Sequence, residues 1–153
     1  MGRSEILTLC DEISKKGSLA SLEDLEFLLS SLNKLREKPV KSRKKRDRRL
    51  FKGLGVALAF FGYGSKSSTK KRQMDNLLKR HSILGAKIGK NPCLPYVKVC
   101  VPGKLSRDYD RYAKAVRIAE DQGLRPTKFY KTLKRTKGGM TGYIEGNEAN
   151  RGF

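Results

Sequence analysis

The chain has 153 residues, with 35 Lys and Arg against 15 Asp and Glu, a formal net charge of +20 and a pI near 10.2. Hydrophobic residues make up 37%, which together with 15 glycines supports one modest core or two small lobes. Solubility alone needs a net charge of roughly 2–8, so a surplus of this size excludes a neutral, self-contained scaffold and points to a polyanionic partner: nucleic acid first, then anionic lipid or acidic protein.

The charge is unevenly placed. Residues 1–37 carry 5 cations and 7 anions (net −2), residues 38–90 carry 17 and 2 (net +15), and residues 91–153 carry 13 and 6 (net +7). An acidic head before a cationic middle suggests a division of labour. The three cysteines, Cys10, Cys93 and Cys100, are an odd and widely spaced set, unlike a secreted disulfide framework. The opening MGRSEILTLCDEI has acids within its apolar stretch, unlike a signal peptide, and Ile at position 6, unlike a myristoylation signal. An intracellular, reducing setting is expected, nuclear or cytoplasmic, without a transmembrane span.

In chain order, residues 4–16 read as a short helix with Ile6, Leu9, Cys10 and Ile13 on one face. Ser21, with Asp24 three residues on, opens a second helix that carries the stripe Leu22, Leu25, Leu28, Leu29, Leu32 and Leu35 and ends at Pro39. Residues 1–39 thus form a leucine-rich helical hairpin. It serves as half of a core or as a self-association surface through Leu22, Leu25, Leu29 and Leu32. Residues 40–49 have no apolar partner and are expected to be a flexible basic arm.

Residues 50–137 read as a basic, mainly helical domain. Leu54 to Tyr63 is almost wholly apolar but too short for a span, which needs roughly 20 residues, so it is a buried or interfacial segment. Ser68 or Thr69 begins a helix over about 69–84, with Met74, Leu77, Leu78, His81 and Leu84 inward. "CLPYVKVCV", 93–101, alternates Val97, Val99 and Val101 against Tyr96, Lys98 and Cys100, a strand signal. Ser106 to about Gln122 and Pro126 to about Lys137 read as helices separated by Gly123. The glycine-rich stretch 138–153 is expected to be a disordered tail. The fold class expected is mainly α with, at most, a short β element near 96–101.

"KSRKKRDRR", 41–49, holds seven cations and one carboxylate. It fits a phosphate-binding arm, or a nuclear-import signal extended by "KKR" at 70–72. Counterion release is the physical reason such a run binds polynucleotides. The expected contacts are Lys41, Arg43, Lys44, Lys45, Arg46, Arg48, Arg49, Lys70, Lys71, Arg72, Lys79 and Arg80, with a second tier at Lys128, Lys131, Lys134 and Arg135. A rival reading sets the cations on anionic lipid headgroups while Phe60, Phe61 and Tyr63 dip into the membrane surface.

"AVRIAEDQGLRPTKFYKTLKR", 115–135, resembles the helix-turn-helix signature, with Ala119 four residues before Gly123 and Phe129 turning inward in the second helix. That resemblance implies a groove-facing row of Lys128, Tyr130, Lys131, Lys134 and Arg135. Gln122 and Thr132 stand where the pattern has apolar residues. In layout alone the chain resembles small viral nucleic-acid-packaging, matrix-like or silencing-suppressor proteins.

Other chemistries find little material. Cys93 and Cys100 lack the close pairing of zinc ligands, and there is one histidine. "GYGSKSS", 62–68, has Ser65 between the glycine and lysine that a phosphate loop keeps adjacent, and "GAKIGKN", 85–91, has no hydroxyl after Lys90. Asp108 and Asp110 diverge on a helix, as do Glu120 and Asp121. No metal, cofactor, small-molecule substrate or catalytic constellation is expected. The sequence therefore reads as a strongly basic nucleic-acid-binding protein that contacts phosphates with little sequence preference, RNA slightly favoured over DNA.

Overall fold

The computed structural model describes residues 3–81 apart from 17–19, and residues 91–150. The described part is mainly helical: α1 (Arg3–Lys16), α2 (Leu22–Arg36), α3 (Arg43–Gly64), α4 (Ser68–Arg80), α5 (Leu94–Cys100), α6 (Ser106–Asp121), α7 (Pro126–Arg135) and α8 (Gly139–Asn150). No strand occurs among the described residues.

The organising element is α3, which packs against α1, α2, α4, α5, α6 and α7. Every residue from Phe51 to Phe60 is buried. A helix that is apolar all round must be enclosed all round, and this one forms the axis of the core. Its glycines lie where neighbours come closest. A Cβ on Gly53 would sit 2.8 Å from Val101 Cγ2 and 3.2 Å from the Cys100 carbonyl oxygen, and one on Gly55 would sit 2.9 Å from Leu7 Cδ2. These positions exchange helix propensity for close approach of α5 and α1.

The basic run is not a flexible arm. Ser42 caps the helix, accepting from the Lys45 backbone N–H at 3.2 Å, and the chain is helical from Arg43 onward. Lys and Arg are good helix formers, and a helix already held in the core extends backward without a new nucleation cost. Asp24 and Ser21 complete both halves of the capping box at the start of α2. Leu25, Leu28, Leu29 and Leu32 are buried and Leu22 is half-buried, all within the single apolar cluster that reaches Ile144. The leucines considered for self-association are thus enclosed by the chain itself or packed against its core.

Two further expectations are corrected. Residues 94–100 are a short helix, not a strand. Pro95 sits in its first turn, where its missing N–H costs nothing. Cys93, Pro95, Tyr96, Val97, Val99, Cys100 and Val101 are all buried, so the valine alternation reflected enclosure on most sides rather than one sheet face. The glycine-rich tail contains α8, whose Met140, Tyr143 and Ile144 are buried against α6 and α7. The Tyr143 hydroxyl donates to Gln122 Oε1 at 2.7 Å, and Lys114 pairs with Glu148 at 3.0 Å. His81, expected on an inner face, is exposed and caps the end of α4. Leu84 and the expected helix end at Gly85 and Gly89 lie outside the described residues, as does the end of the tail, 151–153. Among the described residues no helix is long and apolar enough to cross a membrane.

Candidate nucleic-acid interface

Because α3 is continuous, its first two turns project its cations from the rigid core. Lys41 stands just ahead of the cap, and Arg43, Lys44, Lys45 and Arg46 are exposed, while Arg48 and Arg49 are half-buried where the helix enters the protein. There is no acidic residue in the first turn. Cations here oppose the positive end of the helix dipole, typically at about 0.3–1 kcal/mol each at low ionic strength. Helix end and side chains therefore add their positive potential at one place, where an anion is favoured by both.

Tertiary packing adds cations that the linear pattern does not reveal. Arg36, at the end of α2, donates from Nη1 to the Cys100 carbonyl oxygen at 2.5 Å. Burial lowers its pKa, and the neighbouring Arg49 guanidinium pushes the same way. Lys104 sits in the α5–α6 loop, where its backbone N–H donates to the Tyr109 hydroxyl oxygen at 3.1 Å. Arg36, Arg46, Arg49 and Lys104 line one cavity of about 280 Å³ together with Leu32, Val40, Leu50, Cys100, Val101 and Pro102, with no carboxylate in that lining. A narrow cleft that shares Leu32, Val40 and Arg49 with this cavity is lined also by Lys45, Arg48 and Lys52, again without an acid. Arg48 Nε is shut from solvent there with no hydrogen-bond acceptor among the described residues.

The remaining expected contacts fall into two groups. On α4, Lys71 is paired with Asp75 at 3.5 Å, Arg80 with Glu26 at 2.5 Å, and Lys70 lies 4.8 Å from the centre of the Tyr63 ring. Arg72 and Lys79 are exposed. The α4 cations are thus partly offset within the protein. On α7, Lys128, Lys131, Lys134 and Arg135 are all exposed. Tyr130 links this face to α3, with Lys134 at 6.0 Å and the buried Lys52 at 5.9 Å from its ring centre.

The turn between α6 and α7 contains Gly123 at φ +68°, but α7 leans chiefly on α3, α1 and α8 rather than on α6. Its start is tied to α1: the Thr127 N–H donates to Asp11 Oδ1 at 3.0 Å and its hydroxyl to the Leu7 carbonyl at 3.2 Å. Gln122, polar where the helix-turn-helix pattern is apolar, bonds to Tyr143 and Asn147 of α8. Phe60 and Tyr63 are buried and Phe61 half-buried, so two of the aromatic residues considered for lipid insertion are engaged in the core. The three cysteines are free and buried, and burial pushes the Cys93 thiol up to about 12. Among the described residues no group of three or more His, Cys, Asp or Glu side chains is placed to hold a metal.

Arg36, Lys52 and Lys104 line these recesses and are not among the contacts expected from sequence. Arg36 and Lys104 lie outside the basic run and reach it only through folding, whereas Lys52 lies one turn beyond Arg49 within α3, masked by the apolar residues around it. No protein-family model, curated protein or solved structure matches this chain.

Proposed function

We propose that this chain binds nucleic acid through its phosphates, with the first turns of α3 as the principal contact and the exposed face of α7 as a second. The observation that carries the reading is the convergence of α2, α3 and the α5–α6 loop on carboxylate-free recesses lined by Arg36, Lys45, Arg46, Arg48, Arg49, Lys52 and Lys104. A polyanion relieves the repulsion among these groups. The engagement of Phe60 and Tyr63 in the core favours a polynucleotide over a lipid surface.

Single-stranded RNA is favoured over duplex DNA. Because α7 packs chiefly on α3, α1 and α8 and not on α6, its exposed cations suit a surface contact with phosphates better than insertion into a groove. Phosphate contacts carry little sequence information. The test is a salt titration of the purified chain against single-stranded RNA, duplex DNA and anionic liposomes. Affinity for RNA should be highest at low salt and fall steeply as salt rises, with little dependence on sequence. Preference for liposomes over both nucleic acids would overturn the reading.

A further inference from the structure

The cavity formed by α2, the start of α3 and the α5–α6 loop has a more particular character than a cationic surface. Four positive side chains, Arg36, Arg46, Arg49 and Lys104, come to it from three separate elements, and no carboxylate lines it. The one acid of the basic run, Asp47, is not in that lining. One of the four side chains, and the backbone that carries a second, are held in place. Arg36 is fixed by its bond to the Cys100 carbonyl, and the backbone of Lys104 by its bond to Tyr109. Guanidinium groups next to one another with no acid between them are costly unless an anion joins them.

Size and charge restrict that anion. The volume, about 280 Å³, lies just below the usual range for small-ligand sites, so it suits one phosphate with its attached sugar better than a longer segment. A phosphodiester inside a strand brings one negative charge. A terminal phosphomonoester brings about 1.5–2 at pH 7 and three acceptor oxygens, the better match to four cations. Leu50 and Val101 supply an apolar wall for the sugar or base.

We propose that this cavity recognises the terminal phosphate of a single-stranded nucleic acid, with Arg36, Arg46, Arg49 and Lys104 around the phosphate and Leu50 and Val101 against the nucleoside. The inference rests on the nucleic-acid reading above and adds selectivity for a strand end.

The full-length chain is titrated by fluorescence anisotropy with short single-stranded RNAs of one sequence that carry a 5′-phosphate, a 3′-phosphate or hydroxyls at both ends. One of the two phosphorylated RNAs should bind about tenfold more tightly than the hydroxyl form, the scale of an added charge-assisted contact, and its identity assigns the end. Lys104→Gln and Arg46→Gln, both at exposed positions, should each lower that ratio towards one. Lys128→Gln should weaken all three RNAs equally and leave the ratio unchanged. Equal affinity for the three RNAs overturns the strand-end inference and leaves phosphate binding standing. Failure to bind any of them at low salt overturns both.

Discussion

The Arg36 guanidinium donates a 2.5 Å hydrogen bond to the carbonyl oxygen of Cys100, joining residues 64 positions apart. The bond closes the end of α5 against the end of α2, directly beside the first turns of α3. A charge-assisted bond of this type contributes roughly 1.5–3 kcal/mol. Arg36→Ala should lower the urea midpoint by a corresponding amount and also weaken RNA binding. An unchanged midpoint would mean that the bond is dispensable to the fold.

The glycines of α3 should respond in opposite directions. Gly53→Ala forces a methyl to within 2.8 Å of Val101 Cγ2 and should destabilise the protein, since overpacking typically costs about 1–3 kcal/mol and helix propensity returns up to ~1. At Gly62 the nearest atom to an added Cβ is Glu120 Oε2 at 4.0 Å, so Gly62→Ala should raise thermal stability by up to ~1 kcal/mol. Equal effects from the two variants in a melting experiment would contradict the close packing described for α5.

Tyr143→Phe removes the hydroxyl that donates to Gln122 and should cost about 1 kcal/mol. The ring, 5.8 Å from that of Phe129, is retained, so α8 should stay docked. Amide exchange in α8 should quicken more than in α3. Uniform quickening across both helices would show that α8 opens only with the whole fold.

Alkaline pH should weaken the fold. Burial raises the Cys93 thiol from 9.0 to about 12, and likewise the Tyr96 phenol from 10.0 to about 12. Both stay neutral in the folded chain at pH values where the unfolded chain has already lost their protons. Their contribution is fully present below about pH 9 and declines as pH rises towards about 12. Equilibrium denaturation across that interval should show stability falling with pH, and Cys93→Ser should flatten the fall. A flat profile in the parent protein would refute this.

The α3 and α4 cations should differ in their effect on salt dependence. Each phosphate contact contributes a log–log slope of about −0.7 to −0.9, so replacing Arg43, Lys44, Lys45 and Arg46 together by Gln should flatten the RNA-binding slope by about 3. Replacing Lys71 and Arg80 should change it much less, because Asp75 and Glu26 already offset them. Equal changes from the two sets would place the contact elsewhere.

Where local chemistry and tertiary burial agree, the sequence is readable. Ser21 and Asp24 mark the start of α2, and the apolar spacing of Met74, Leu77 and Leu78 marks α4. Reading fails where burial decides alone. Val97, Val99 and Val101 alternate like a strand because their segment is enclosed between α3 and α6, which erases the usual helical periodicity. In α8, Met140, Tyr143 and Ile144 have helical spacing, a usable signal that the surrounding glycines obscured. Charge alone makes the α3 run read as flexible, since what anchors it is the apolar helix that follows. The cationic cavity was less legible still, since Arg36 and Lys104 gain their meaning only from neighbours distant in the chain.

The continuity of α3 has a mechanical consequence. Arg43 and Phe60 belong to the same uninterrupted rod of backbone hydrogen bonds, with no hinge between the proposed binding surface and the buried interior. Tension on a captured strand would pass along this rod into the packed centre of the molecule, so losing the grip and loosening the interior become parts of one event.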